Sequence, residues 1–396
     1  MAKVLVVAPY VPHPSRHGGA IRSRVLLDAL GLDHEVHLAA AVATEVDRLN
    51  LRALAAETGF RGHELPARDR PRARALPKLL HWAVGRSELA ARRWAAGAAD
   101  AMRRIAGEVA ADLTVVDSTF ALPVLSGRWQ LLALHNLEFA ALARRDDEPR
   151  SWTERTTRRI EARRLGALER RAIARSALTV TVSAHDRALA LGLVPAARVE
   201  VVPNSVDLAR LSLLPPADPR TAPRVLFVGS LDYPPNLAAA IELVERHAPA
   251  LRAAFPGLVV RLVGKDPAGF GARFAGVPGI EVVGTVDDVV PHYRASHAVY
   301  LPIQSGGGTR IKILEAWALG VPVLSTAVGA EGLPAADGVH LLRFETPAEG
   351  ATALRRVLAG EGATLREHGR ALVEQQFSHA AAIARLRQLV GELLPH

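Results

Sequence analysis

The sequence predicts two α/β domains, each a doubly wound parallel sheet with helices on both faces. Three observations carry this. At 396 residues the chain exceeds what one hydrophobic core ordinarily organises. Twelve short Val- and Leu-rich runs alternate with longer Ala/Leu/Arg segments of helical period. A Pro-rich stretch without period, LLPPADPRTAP at Leu213–Pro223, separates the first six runs from the last six.

In the first half the runs are KVLVVA, EVHLAA, DLTVVD, LLALH, ALTVTVS and VEVVPN. In the second they are RVLFVG, LVVRLVG, IEVVG, HAVYLPI, VPVLST and VHLLRF. Their apolarity is continuous, not alternating, as expected for strands buried on both faces of a parallel sheet. The expected layout is an N-terminal domain over residues 1–212, a linker over 213–223, a C-terminal domain over 224–378 and a closing amphipathic helix over 379–396. Open α/β sheets bind ligands beyond the carboxyl ends of their strands, so two such domains are expected to face each other across a ligand cleft.

Composition narrows the classes. Hydrophobic residues make up 49% and charged residues 22%, a globular balance. The absence of cysteine excludes disulfides, thiolate zinc sites and cysteine nucleophiles, and fits a cytoplasmic protein. No run approaches a membrane-spanning length, and MAKVLVVAPY lacks the layout of a signal peptide. The net charge of +9 is one-sided: residues 1–222 hold 33 Lys+Arg against 24 Asp+Glu, whereas residues 223–396 hold 16 of each.

The strongest local signal is PIQSGGGTRIKILEAWALGVPVLST, Pro302–Thr326. A buried strand ends at Ile303, a Gly-rich loop follows, and a helix is expected from about Thr309. Gly306, Gly307 and Gly308 let the backbone approach a ligand, and the helix N-terminus adds partial positive charge, a combination suited to an anion. Lys312 and Glu315 are three apart on one face, with Ile311, Leu314 and Ala318 on the buried one. A cation beside the loop and a carboxylate one turn deeper suit a sugar nucleotide, with phosphate on the loop and ribose hydroxyls on Glu315. The same residues also read as a Gly-rich turn beside a surface Lys–Glu pair.

In context the segment resembles the donor-site signature of retaining glycosyltransferase family 4, and GGGTRIKILEA with the later AVGAEGL resembles its exopolysaccharide-type branch. FVGSLDYPPNLAA, LVGKDP, GTVDDVVPHY and VVPNSVD resemble their counterparts in the same order. The resemblance implies a GT-B architecture, with two Rossmann-like domains and the nucleotide-sugar donor bound by the C-terminal one. It places Gly229, Ser230, Asn236, Lys265, Gly306, Gly307, Gly308, Thr309, Arg310 and Glu315 at the donor, with Lys312 and Glu315 in catalytic positions. Two departures stand out. Gly307 occupies the place of the signature's first Glu, and the usual Arg and Lys after the first C-domain strand are missing from GSLDYPPN. Lys265, and Arg310 or Lys312, are the available substitutes, and two of the chain's four lysines thus lie at the inferred site.

The N-terminal half contributes two loops. In PYVPHPSRHGGAIRSRVLLDAL the resemblance implies that Gly18 and Gly19 close over the donor phosphates, with Arg22 a further anion contact; a ligand-free connector is the alternative. In LALHNLEFA, His135 ends a strand and matches the family's active-site His. No Asp-x-Asp, His-Glu-x-x-His or Gly-x-Ser-x-Gly occurs, and no Gly-x-Gly-x-x-Gly follows the first strand. Transfer without metal or cofactor is therefore expected, and the resemblance implies a UDP- or GDP-sugar co-substrate and retention of configuration, with no protein nucleophile.

The basic N-terminal half points to an anionic or lipid-linked acceptor, or to a peripheral contact with the inner membrane face; solvated Arg-rich helices are the plain alternative. RPRARALPKLLHWAVGRSELAARRW, with Trp82 and Trp94 among cations, is the expected contact, and Arg150–Arg175 extends it. No nucleic-acid module accompanies the charge, so nucleic acid is not expected as a partner. Two rival readings remain beside sugar transfer: a relative that couples non-sugar units, kept open by Gly307, and a non-catalytic nucleotide-binding scaffold.

Overall fold

The computed structural model describes residues 1–15, 18–69, 82, 85–143, 151–218, 221–266, 269–274, 276–305 and 311–394. The chain forms two compact units, one of Met1–Asn204 with Ala380–His396, the other of Ser205–His379.

The first unit is built on a seven-stranded sheet of β1 (Lys3–Ala8), β2 (Glu35–Val42), β3 (Arg61–Pro66), β4 (Leu113–Asp117), β5 (Trp129–Ala133), β6 (Ser176–Thr181) and β7 (Val199–Val201), in the order 3-2-1-4-5-6-7. Every pairing is parallel. Val4 through Ala8 of the central β1 are all buried, as their uninterrupted apolarity requires. β3 has no counterpart among the sequence-predicted strands. Its sequence RGHELP buries only Leu65 and pairs with β2 alone, so it is an edge strand that has no apolar run to betray it.

The second unit carries a six-stranded sheet of β8 (Arg224–Val228), β9 (Val259–Val263), β10 (Ile280–Gly284), β11 (Ala298–Leu301), β12 (Val323–Ser325) and β13 (Leu342–Arg343), in the order 10-9-8-11-12-13. All its pairings are parallel too, and all six predicted runs are strands.

The division between the units falls at Asn204/Ser205, ahead of the Pro-rich stretch. The chain leading into that stretch is packed, as far as Leu214. Val206, Leu211 and Leu214 are buried in the second core, Leu214 N–H donates to Leu319 O at 3.0 Å, and Val206 N–H donates to Phe377 O at 2.8 Å. The closing helix, His379–Gly391, likewise does not stand alone. Ala382, Leu386, Leu389 and Val390 enter the core formed by Val4, Val6 and Leu38 of the first unit. Arg385 reaches Glu200 at 2.8 Å and Arg387 reaches Asp33 at 2.6 Å. Its amphipathic stripe is a missing piece of the first unit's surface, supplied from the far end of the chain.

Candidate functional site

A doubly wound sheet has one place where strand order reverses, and the loops there diverge to leave a ligand crevice. In the second unit that place lies between β8 and β11. The loop after β8 is Gly229–Tyr233, followed by the helix Pro234–Glu242, whose Asn236 turns back to donate Nδ2–H to Ser230 O at 2.9 Å. Asn236 Oδ1 in turn accepts from Lys312 Nζ at 2.7 Å, and Nζ lies 4.9 Å from the centroid of Phe227. A side chain at Gly229 has no room: a Cβ there would lie 2.8 Å from Asn236 Nδ2 and 2.9 Å from Lys312 Nζ. The loop after β9 presses in from the other side, with Leu231 N–H donating to Lys265 O at 2.8 Å. Lys265 Nζ stands 3.2 Å from Asp232 Oδ2, and Ser230 Oγ donates to Asp232 Oδ1 at 2.6 Å. The Ser230 hydroxyl, then Lys265, hold the Asp232 carboxyl below its ordinary range.

The helix Ile311–Leu319 carries Lys312 and, one turn on, Glu315. Apolar residues bury it on most sides, Ile313, Leu314, Ala316, Trp317 and Ala318 among them; Ile311, expected on the buried face, is only partly covered. Glu315 is therefore a carboxyl set into an apolar helix. Burial pushes it above its ordinary range, against the pull of the Tyr293 hydroxyl, Lys312 and Arg210. Tyr293, fully buried, donates to Glu315 Oε2 at 3.1 Å and also lies 3.3 Å from Lys312 O, which fixes the carboxyl against its own helix. A point cation and an oriented, partly buried carboxyl thus lie on the helix beside a loop that approaches by its backbone at Gly229. Such a set can neutralise a diphosphate and accept from hydroxyls.

In the first unit the order reverses between β1 and β4. Asp117 ends β4 and is 1% exposed. His135, two residues past β5, donates from Nε2 to Asp117 Oδ1 at 2.6 Å. Ser23, on the helix Gly18–Gly31, donates to Asp117 Oδ2 at 2.5 Å, so the hydroxyl of Tyr10, 3.1 Å away, is the donor to Ser23 Oγ. Burial and then the Asp117 charge push the Tyr10 phenol well up, which keeps it a donor. The chain Tyr10–Ser23–Asp117–His135 fixes one imidazole tautomer and leaves Nδ1 without a hydrogen-bond partner among the described residues.

Glu169 fastens the two loops that carry this chain. It lies fully buried on the long helix Trp152–Arg175 and accepts from Thr119 Oγ1 at 2.8 Å, just past Asp117, and from Glu138 N at 2.8 Å and Phe139 N at 3.2 Å, just past His135. Burial outweighs these donors and pushes its carboxyl up to about 7. A carboxyl raised from the 4.5 of an exposed glutamate contributes stability below that value, and the contribution is lost as pH rises toward about 7. At that size it is on the order of 3 kcal/mol. Unfolding midpoints measured at pH 5.5 and pH 8 are expected to fall with pH, more steeply for the natural chain than for Glu169→Gln. That variant is also expected to lose about 1–3 kcal/mol, because its amide N–H must face a donor.

Of the residues singled out from sequence, Gly229, Ser230, Asn236, Lys265, Lys312 and Glu315 gather in the second unit; His135, Gly18 and Gly19 lie in the first, the two glycines opening the helix Gly18–Gly31. Gly306, Gly307, Gly308, Thr309 and Arg310 lie outside the described residues, as do 70–81, 83, 84 and 150 of the two basic segments. Arg22 does not reach outward. It donates to Val202 O at 2.8 Å and lies 3.4 Å from Asn204 Oδ1, and burial lowers it to about 10. Trp82 and Trp94 both turn their indole N–H inward. Trp82 donates to the buried Glu161 at 2.7 Å, and Trp94, 6% exposed, donates to Phe120 O at 2.9 Å, since a buried indole N–H needs an acceptor. Sequence reasoning passed over Asp117, Ser23, Tyr10, Glu169 and Tyr293. The one available signal was a carboxylate closing the buried run DLTVVD.

Residues 222–360 match the family described as Glycosyl transferases group 1. Over its whole length the chain resembles solved structures. Sucrose-phosphate synthase from Thermosynechococcus elongatus shares 19% identity at a TM-score of 0.70, covering 99% of each chain. HepE from Anabaena, solved with UDP and glucose, shares 16% at 0.64, again covering 99% of each. A glycosyltransferase from Rickettsia africae shares 14% at 0.63, covering 99% of this chain and 98% of that one. No curated protein matches the chain. The two Rossmann-like units are those of the GT-B fold, and the group 1 match over the second unit marks the chain as a transferase.

Proposed function

Starting from a group 1 domain on a GT-B fold, we propose that the protein transfers a sugar from a UDP- or GDP-sugar to an acceptor hydroxyl, with retention of configuration and without a metal. The carrying observation is the junction of Lys312 with Asn236 and the bare backbone of Gly229, and Glu315 one turn further along the same helix. Lys312, Lys265 and the loop N–H groups stabilise the leaving diphosphate, and Glu315 accepts from the ribose. The departing phosphate oxygen receives the proton of the attacking hydroxyl on its own face, so the chemistry is electrostatic and needs no protein nucleophile. His135, which the family resemblance assigns to the active site, is held by Asp117 through Nε2. The segments that resemble family 4 and its exopolysaccharide-type branch support this reading, and so does the UDP seen with HepE. The basic first unit suits an anionic or lipid-linked acceptor at the inner membrane face.

Release of nucleoside diphosphate from a panel of UDP- and GDP-sugars, with EDTA present, tests the proposal, with NMR of the product reporting its anomeric configuration. Release that survives EDTA, gives a retained anomer and disappears in Glu315→Ala is the expected result. An inverted product, or release that stops with EDTA, sinks the mechanism.

A further inference from the structure

The helix Trp152–Arg175 contains eight arginines and three glutamates, and two of the glutamates, Glu161 and Glu169, are turned inward and buried. Arginines elsewhere in the chain commonly find a carboxylate, as Arg24 finds Asp28 and Glu57 and Arg387 finds Asp33. On this helix the side chains of Arg155, Arg163, Arg170, Arg171 and Arg175 make no ion pair or hydrogen bond among the described residues. Among the described residues their charge has no carboxylate partner.

Beside the helix lies a chamber of about 490 Å³ whose walls include Leu122, Trp129 and Leu168, with Arg86, Arg171 and Arg175 among its lining residues. Arg86 too has no ion pair among the described residues. Trp129 is 5% exposed, and its indole N–H finds no acceptor there. A second hollow of about 500 Å³ has Arg163 and Arg170 over the apolar Phe139 and Leu193. Each hollow therefore joins apolar walls to cations.

A free phosphate would leave the apolar volume empty. A nucleic acid would need stacking surfaces, but the chamber's two indoles, Trp94 and Trp129, are buried. An amphiphile with an anionic head meets both features. We propose that this chamber takes the chain of an anionic membrane lipid, with Arg86, Arg171 and Arg175 on its phosphate. The inference rests on the membrane-facing reading of the first unit and is independent of the donor site in the second.

The test uses the full chain with phosphatidylcholine vesicles, with and without phosphatidylglycerol. Binding is expected only with the anionic lipid, and Arg86→Gln/Arg171→Gln/Arg175→Gln is expected to weaken it on the order of 100-fold. Trp152 is 72% exposed and would report mere surface adsorption, so fluorescence is read in a Trp152→Phe background. There, lipid brominated along its chain is expected to quench emission, and Trp129→Phe is expected to remove much of that quenching. Equal binding to both vesicles overturns the proposal. So does binding without quenching, which means adsorption only, or equally tight, charge-dependent binding to duplex DNA. Stabilisation by nucleoside diphosphate, measured on the same triple variant, is expected to be unchanged, which separates failure here from failure of the donor assignment.

Discussion

Lys312→Ala is expected to lower turnover of the nucleotide-sugar donor by roughly 10²–10³-fold, the effect of removing one preorganised charge from a developing anion. The unfolding midpoint should move little, because Lys312 is only partly buried and its Asn236 contact is a single hydrogen bond. Lys312→Arg should not restore the rate. The ammonium is a compact charge placed over Phe227 against the backbone of Gly229, and a planar guanidinium fork does not fit that space. Steady-state kinetics on the three proteins check this. Full activity in the Arg variant would mean that the position needs only positive charge.

The second large effect is on folding. Gly264 has φ +153°, and a Cβ there would lie 2.0 Å from Gly229 O, a backbone atom that cannot turn aside. Gly264 N–H also donates to Gly284 O at 2.9 Å, which ties the loops after β8, β9 and β10 together. Gly264→Ala is therefore expected to cost 3 kcal/mol or more, or to push the Gly229 loop outward and abolish nucleotide binding. Gly257→Ala is the control. Its φ is +81°, but the nearest atom to its Cβ would be Ala222 Cβ at 3.8 Å, so it should cost only about 1 kcal/mol. Urea unfolding of both variants separates close approach from backbone preference; equal costs would contradict the close-approach account.

Strand runs buried on both faces are visible in sequence because burial demands uninterrupted apolarity, and all six of the second unit's strands were found that way. β3 was not, since an edge strand with one buried residue carries no such pattern. The division of the compact units at Asn204/Ser205 carries no such signal either. Proline marks irregular backbone, but it does not say whether that backbone is packed, and here Leu211 and Leu214 are. Lys312 and Glu315 stand in one continuous sequence motif. The buried partners do not: Asp117, Ser23, Tyr10 and Glu169 come from four separate segments, and only the fold brings them to His135. Tyr293 was hidden likewise, a tyrosine inside GTVDDVVPHY with nothing in sequence to link it to Glu315.

The central claim is that the second unit holds a nucleoside diphosphate between the Gly229 loop and the Lys312–Glu315 helix. Thermal unfolding against a panel of nucleoside diphosphates tests it most directly. At about 100 times its dissociation constant, UDP or GDP should raise the midpoint by roughly 5–10 °C, and Glu315→Ala should abolish that rise. No stabilisation by any nucleoside diphosphate, or a rise that survives in Glu315→Ala, would contradict it.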